Sequence, residues 1–177
     1  MPDIFKIIIT PVALVLGSLV GTWRNGLDWR TDIGLQRPTV RHAVIFTAVF
    51  AAVMAAHEVL YQLAGMQGDN WRKYTPGALV LRVLFVALIY PFAEELFFRG
   101  FLLGLITRKA GALAGIVATA VFFTALHGLR TDSWMGPVLL FIDGAYFAFV
   151  RLRSGSLLLP VAFHVAANSL AVLQRLY

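Results

Sequence analysis

The chain has 177 residues, 59% of them hydrophobic and 14% charged, with a mean hydropathy of +0.78. A soluble domain of this length rarely passes about half apolar, so the composition indicates a single membrane-embedded domain over residues 1–177. The absence of cysteine excludes a disulfide framework, a thiol nucleophile and a thiolate metal site.

The net charge of +6 is read as basic loops facing anionic lipid. No nucleic-acid partner is expected, because no run of Lys and Arg exceeds two residues. Apolar stretches of roughly 17–25 residues can cross a bilayer. Six are expected, at about Ile4–Thr22, Ala43–Met66, Ala78–Thr107, Ala112–Leu129, Trp134–Val150 and Ser156–Leu173. The first is expected to be a retained span, since its flank holds one Lys beside an Asp and no clear small-x-small cleavage site follows. After it, Trp23–His42 is rich in Trp and Arg and fits an interfacial segment lying on the membrane surface. Polar, Gly-containing loops are expected around Gly68–Gly77 and Arg151–Gly155.

The fold class is therefore all-α, a polytopic bundle of about six spans. The loops after spans one, three and five hold Arg24, Arg30, Arg37, Arg41, Arg108, Lys109, Arg151 and Arg153. The opposite side holds Lys6, Arg72, Lys73, Arg130 and Arg175. The positive-inside rule then puts the first group in the cytoplasm and both termini outside. The third span is unusual, being about thirty residues long with Pro91 in its middle. Proline there is expected to kink the helix one turn before the acidic pair Glu94–Glu95.

A charge at the bilayer centre costs on the order of 2.5–3.5 kcal/mol, so intramembrane charges face the bundle interior and have partners. Helix rise puts Glu94 roughly 20 Å deep, His127 near 23 Å, and His164 and Asn168 at roughly 12–18 Å, so the four can meet at one level. Glu95 and Arg99 are spaced i, i+4 and can pair on one face. Phe123 with His127, and His164 with Asn168, share that spacing. Glu94 points about 100° away from Glu95, which leaves it to face the histidines. A buried carboxylate beside a histidine can take a proton from water, and a second His with an amide can stabilise an oxyanion. The same residues, Glu94, His127 and His164, are alternatively a site for a divalent metal, with zinc the first candidate.

Three stretches carry a resemblance: "EELFFR" (Glu94–Arg99), "FTALH" (Phe123–His127) and "HVAAN" (His164–Asn168). They match in order the EExxxR, FxxxH and HxxxN/D motifs of the CPBP family, the CAAX prenyl protease type 2 (Rce1-like) and Abi-type intramembrane endopeptidases. "DIGLQRP" and "RLRSGSLLLPVAFH" also look like stretches common there, and the motif core covers about residues 78–173. The resemblance implies a glutamic-type endopeptidase in which Glu94 activates water with His127 as partner. His164 and Asn168 would form the oxyanion hole, with Glu95, Arg99 and Phe123 supporting. It implies no required cofactor, or else a divalent metal such as zinc. The partners implied are the bilayer and a membrane-anchored protein or peptide substrate, in a prokaryotic cytoplasmic membrane.

Blander readings stand beside this one. Glu94, Glu95 and Arg99 could be a structural ion-pair network, His127 alone a hydrogen-bonded core histidine, and His164 with Asn168 an interhelical polar clasp worth about 1 kcal/mol. His57–Glu58 fails as HExxH because Tyr61 stands at i+4, so the pair is taken as structural or cavity-lining. Asp143 is an added polar contributor or a partner of Tyr146, and Arg82 near a helix end is expected to snorkel. The rival classes are a Glu/His-based transporter, opposed by the lack of internal repeats, and a non-catalytic immunity or scaffold relative.

Overall fold

The computed structural model describes residues 2–65, 70–128 and 134–176, with side chains from residue 7 onward. Helices α1 (Pro2–Arg24), α2 (Val40–Leu63), α3 (Pro76–Ala110), α4 (Ala112–Gly128), α5 (Met135–Ser154) and α6 (Leu158–Leu176) follow one another. A single 3-10 turn, Trp71–Lys73, precedes α3, and no strand occurs among the described residues. The expected span ends at Met66 and Leu129, the loop start at Gly68, Arg130 and the Lys6 side chain lie outside what is described.

Six helices match the six expected spans, but length and composition qualify only four as crossing segments: Ile7–Arg24, Val40–Leu63, Pro76–Ala110 and Met135–Ser154. Helix α4 is apolar but only 17 residues long. Helix α6 has 19 residues, its apolarity lowered by His164, Asn168, Gln174 and Arg175. At most a third of any of the four crossing segments is buried within the protein. Val12, Val20, Val44, Val59, Val80 and Phe92 are among the large apolar side chains turned outward. Such continuous apolar surface suits lipid and not water. The protein is an integral, multi-pass membrane protein.

Local chemistry sets the helix ends. Thr39 accepts from the His42 backbone N–H at the start of α2, and Pro76 opens α3 where a missing N–H does no harm. Gly111, at φ +86°, stops α3 and lets α4 begin at once. Helix α1 packs on α3, with Gly17 facing Phe97 and Gly21 facing Phe101. A Cβ at Gly21 would fall 2.4–2.9 Å from the Phe101 ring, so small residues are what let the two helices close. Between α2, α5 and α6 the core is aromatic: Phe50 stacks on Phe163 at 4.6 Å, flanked by Phe46 and Phe147.

The segment 25–39 is largely exposed and is anchored by a few buried residues. Its ends are polar, but Leu27 and Ile33 are buried in a core with Leu96 of α3 and Leu157. Arg151 donates to the carbonyls of Thr31, Asp32 and Ile33, at 3.0, 2.8 and 3.0 Å. Arg108 donates to Asn25 O and Gly26 O. Gly34 must be glycine: its φ is +83°, and a Cβ there would lie 2.2 Å from the Arg151 guanidinium carbon. Asp28 accepts from the Thr31 backbone N–H, the Thr31 hydroxyl and the Arg30 N–H, which hold its carboxyl below the usual range. These bonds gather the segment, Arg108 and Arg151 at one end of the bundle. At the other end Arg72 bonds Leu176 O and Arg175 stands over Trp71.

Candidate active site

Helix α3, at 35 residues, is roughly 50 Å long against a bilayer core of about 30 Å, so its middle lies deep. Two π-turns interrupt it, Phe85–Ile89 and Leu96–Leu102, and the carboxylates sit between them. The expected irregularity at Pro91 takes this form. The Tyr90 N–H reaches back five residues to Phe85 O. The next carbonyl in that register, Val86 O, would then meet Pro91, which has no N–H to give. Asn168 of α6 supplies the missing donor through Nδ2 at 2.9 Å. The wider turns also place Glu94 and Glu95 on the buried side: both are buried, Glu95 completely.

Glu95 and Arg99 form the ion pair expected from their spacing, Nη1 to Oε1 at 2.8 Å, with neither side chain exposed. Arg99 also donates to Gly144 O of α5 at 3.3 Å. Its guanidinium lies 4.5 Å from the Phe123 ring centroid and 5.6 Å from that of Phe147, so aromatic faces surround the cation where solvent is absent. His164 bonds the same Glu95 Oε1 through Nδ1, at 2.8 Å. The second oxygen, Oε2, is buried without a hydrogen-bond partner, as is Arg99 Nε.

Glu94 faces both histidines. Its Oε1 lies 3.4 Å from His127 Nε2 and its Oε2 lies 3.7 Å from His164 Nε2. His127 directs Nδ1 to Phe123 O at 2.9 Å and stacks on the Phe123 ring at 4.4 Å. A carbonyl can only accept, so Nδ1 carries the proton and Nε2 is the nitrogen turned to Glu94. The same logic assigns Nδ1–H of His164 to Glu95. Each imidazole thus presents Nε2 to one oxygen of a single carboxylate.

The structure brings Glu94, Glu95, Arg99, Phe123, His127 and His164 into one cluster where α3, α4 and α6 meet. The clean division between the two carboxylates is not observed: His164 bridges them. Asn168 shares the cavity but turns its Nδ2 to Val86 O instead of to His164, its i, i+4 neighbour. Sequence spacing did not reveal Gly144 O or Val86 O; the Pro91 five residues after Val86 was the available signal. The cavity holds about 580 Å³ and is lined by Glu94, His127, His164, Asn168, Tyr90 and Arg82. A second cavity of about 660 Å³, between α2, α5 and α6, is lined by His57, Glu58, Asp143 and again Asn168. There Asp143 Oδ2 lies 3.6 Å from His57 Nδ1. Tyr146 is not the partner of Asp143; its hydroxyl donates to Phe46 O at 2.7 Å.

No group of three or more His, Cys, Asp or Glu among the described residues is arranged to hold a metal ion.

A helical membrane bundle with two carboxylates and two histidines clustered at an interior cavity defines the class: a polytopic membrane protein with ionisable groups gathered inside the bundle. Residues 76–170, more than half of the chain, match the family described as type II CAAX prenyl endopeptidase Rce1-like, and the protein belongs to that family. The matched stretch runs from α3 into α6 and holds the whole cluster. The chain is also similar to an uncharacterized 24.3 kDa protein of Escherichia coli, 32% identical over 97 residues. That match covers 54% of this chain and 44% of the relative. No solved structure matches.

Proposed function

We propose that the protein is an intramembrane endopeptidase of the glutamic type, hydrolysing a peptide bond of a membrane-anchored protein or peptide. The observation that carries this reading is Glu94, with each carboxylate oxygen facing an imidazole Nε2 in a buried cavity. A water bridging Glu94 and His127 Nε2 gives up a proton to Glu94 as its oxygen attacks the carbonyl carbon. Phe123 holds the His127 ring by a hydrogen bond and by stacking, so that Nε2 stays aimed.

The developing oxyanion needs donors in place before charge appears. His164 serves when its Nε2 is protonated, and the Glu95 carboxylate at Nδ1 stabilises that imidazolium. Arg99 pairs with Glu95 at 2.8 Å and holds its carboxylate in place against His164 Nδ1. Asn168 has a second amide N–H beyond the one given to Val86 O, and it is the other oxyanion donor. Collapse of the intermediate breaks the C–N bond, and the proton held by Glu94 passes to the leaving amine. No step is routed through a metal.

The test uses purified protein in detergent and a library of membrane-anchored peptides. Glu94→Ala and His127→Ala are each expected to lower kcat by about 10²–10⁴ with folding intact. Undiminished cleavage by both variants would sink the mechanism.

A further inference from the structure

Arg82 stands near the start of α3. It lines the same 580 Å³ space as Glu94, His127 and His164. Its guanidinium carbon stands 4.0 Å from the Tyr74 ring centroid and 6.0 Å from that of Trp71. Aromatic faces orient an arginine without neutralising it or occupying its N–H donors. Among the described residues no carboxylate pairs with Arg82 and no carbonyl accepts from it. Two other described arginines at this end are used differently: Arg72 bonds Leu176 O and Arg175 bonds Ala171 O. A half-buried, oriented and unneutralised cation inside a cavity is a receptor for an anion.

Arg82 and Glu94 are twelve residues apart on α3, about 18 Å along the helix. An extended peptide covers that distance in about five residues. We propose that Arg82 is a specificity-determining anchor that binds a carboxylate of the substrate about five residues from the scissile bond. The carboxylate is an Asp or Glu side chain or the chain terminus, and between anchor and scissile bond the substrate lies along Phe85, Val86 and Tyr90. The proposal rests on the peptidase reading of the Glu94 site and adds to it the polarity of the chain that the cavity accepts.

Binding tests it apart from turnover. Palmitoylated peptides identical but for one glutamate replaced by glutamine, scanned along the chain, together with acid and amide C-termini, are titrated into the Glu94→Gln protein in neutral detergent micelles. Fluorescence polarisation reads the affinity. One carboxylate position is expected to tighten binding by about tenfold or more. In Glu94→Gln/Arg82→Gln that preference disappears, while in Glu94→Gln/Arg82→Lys part of it remains, because a point charge replaces the planar fork. Thermal unfolding shows that these variants stay folded.

A preference that survives Arg82→Gln overturns the proposal, and so does equal or absent binding of acid and neutral peptides. Displacement of both peptides by phosphatidylglycerol, with no effect of peptide charge, also overturns it by assigning Arg82 to a lipid phosphate. If the preference depends on Arg82 but the wild-type protein cleaves none of the peptides, the anchor stands and the peptidase reading fails.

Discussion

Arg99 and Arg151 are both buried arginines, exposed by 0% and 3%, yet they act in opposite ways. Arg99 lies against a carboxylate, with aromatic rings around it and one carbonyl at 3.3 Å. Arg151 donates to three consecutive backbone carbonyls of the segment 25–39. Carbonyls bind a cation without cancelling its charge, so Arg151 acts as a clip that closes a loop under α3. A carboxylate partner makes Arg99 part of a charge system, and that system extends through Glu95 to His164 and Glu94. A buried cation therefore reports on function through what satisfies it, and its burial alone says little. Arg82 is the third case, a cation satisfied by neither.

The difference can be broken experimentally, starting where the effect is largest. Arg99→Ala leaves the buried Glu95 carboxylate without its cation and with His164 Nδ1 alone as partner, which costs about 3–5 kcal/mol. Thermal unfolding in detergent will show the loss, and cleavage will fall with it because His164 loses its ordered partner. Arg99→Lys is expected to recover stability in part and activity less.

Arg151→Ala sharpens the contrast. Three carbonyls lose their donor, so the loss is about 2–3 kcal/mol of stability. The kcat of the folded fraction is expected to stay near wild type. Gly34→Ala acts on the same clip, through its positive φ and its contact with Arg151, and the two changes are expected to be non-additive. A large fall in kcat from Arg151→Ala alone would erase the distinction between clip and charge system.

A smaller effect is expected at Asn168. Asn168→Ala removes the donor to Val86 O, at a cost of about 1–2 kcal/mol. Pro91→Ala restores a backbone N–H to the helix, so the same Asn168 change is expected to cost less in that background. Equal costs in a double-mutant cycle would show that Pro91 does not create the need for the amide. The smallest expected effect is of metal removal: chelation should leave the cleavage rate unchanged, and loss of activity restored by zinc would overturn the metal-free mechanism.

Much of the site was legible because its first contacts are local. Glu95 with Arg99, and Phe123 with His127, lie four residues apart, and a helix dictates that such residues meet. The same rule misled at His164 and Asn168. Their spacing allowed a contact, but Val86 O on another helix was the more demanding acceptor, since Pro91 had removed its backbone donor. Segment 25–39 carried interfacial Trp and Arg residues, and the burial of Leu27 and Ile33 could not be read from them. Leu27 and Ile33 find their places only once α3 and Leu157 are packed above.

By itself the sequence determined a helical membrane protein and the helix-local pairs, because composition and the 3.6-residue period act within one segment. Tertiary structure alone decided that His164 bridges two carboxylates, that Asn168 completes a proline-broken helix, and that Arg82 faces the cavity. Each of these depends on the rotation and depth at which separate helices pack. Those variables are set by the whole set of contacts between helices and are written in no single helix.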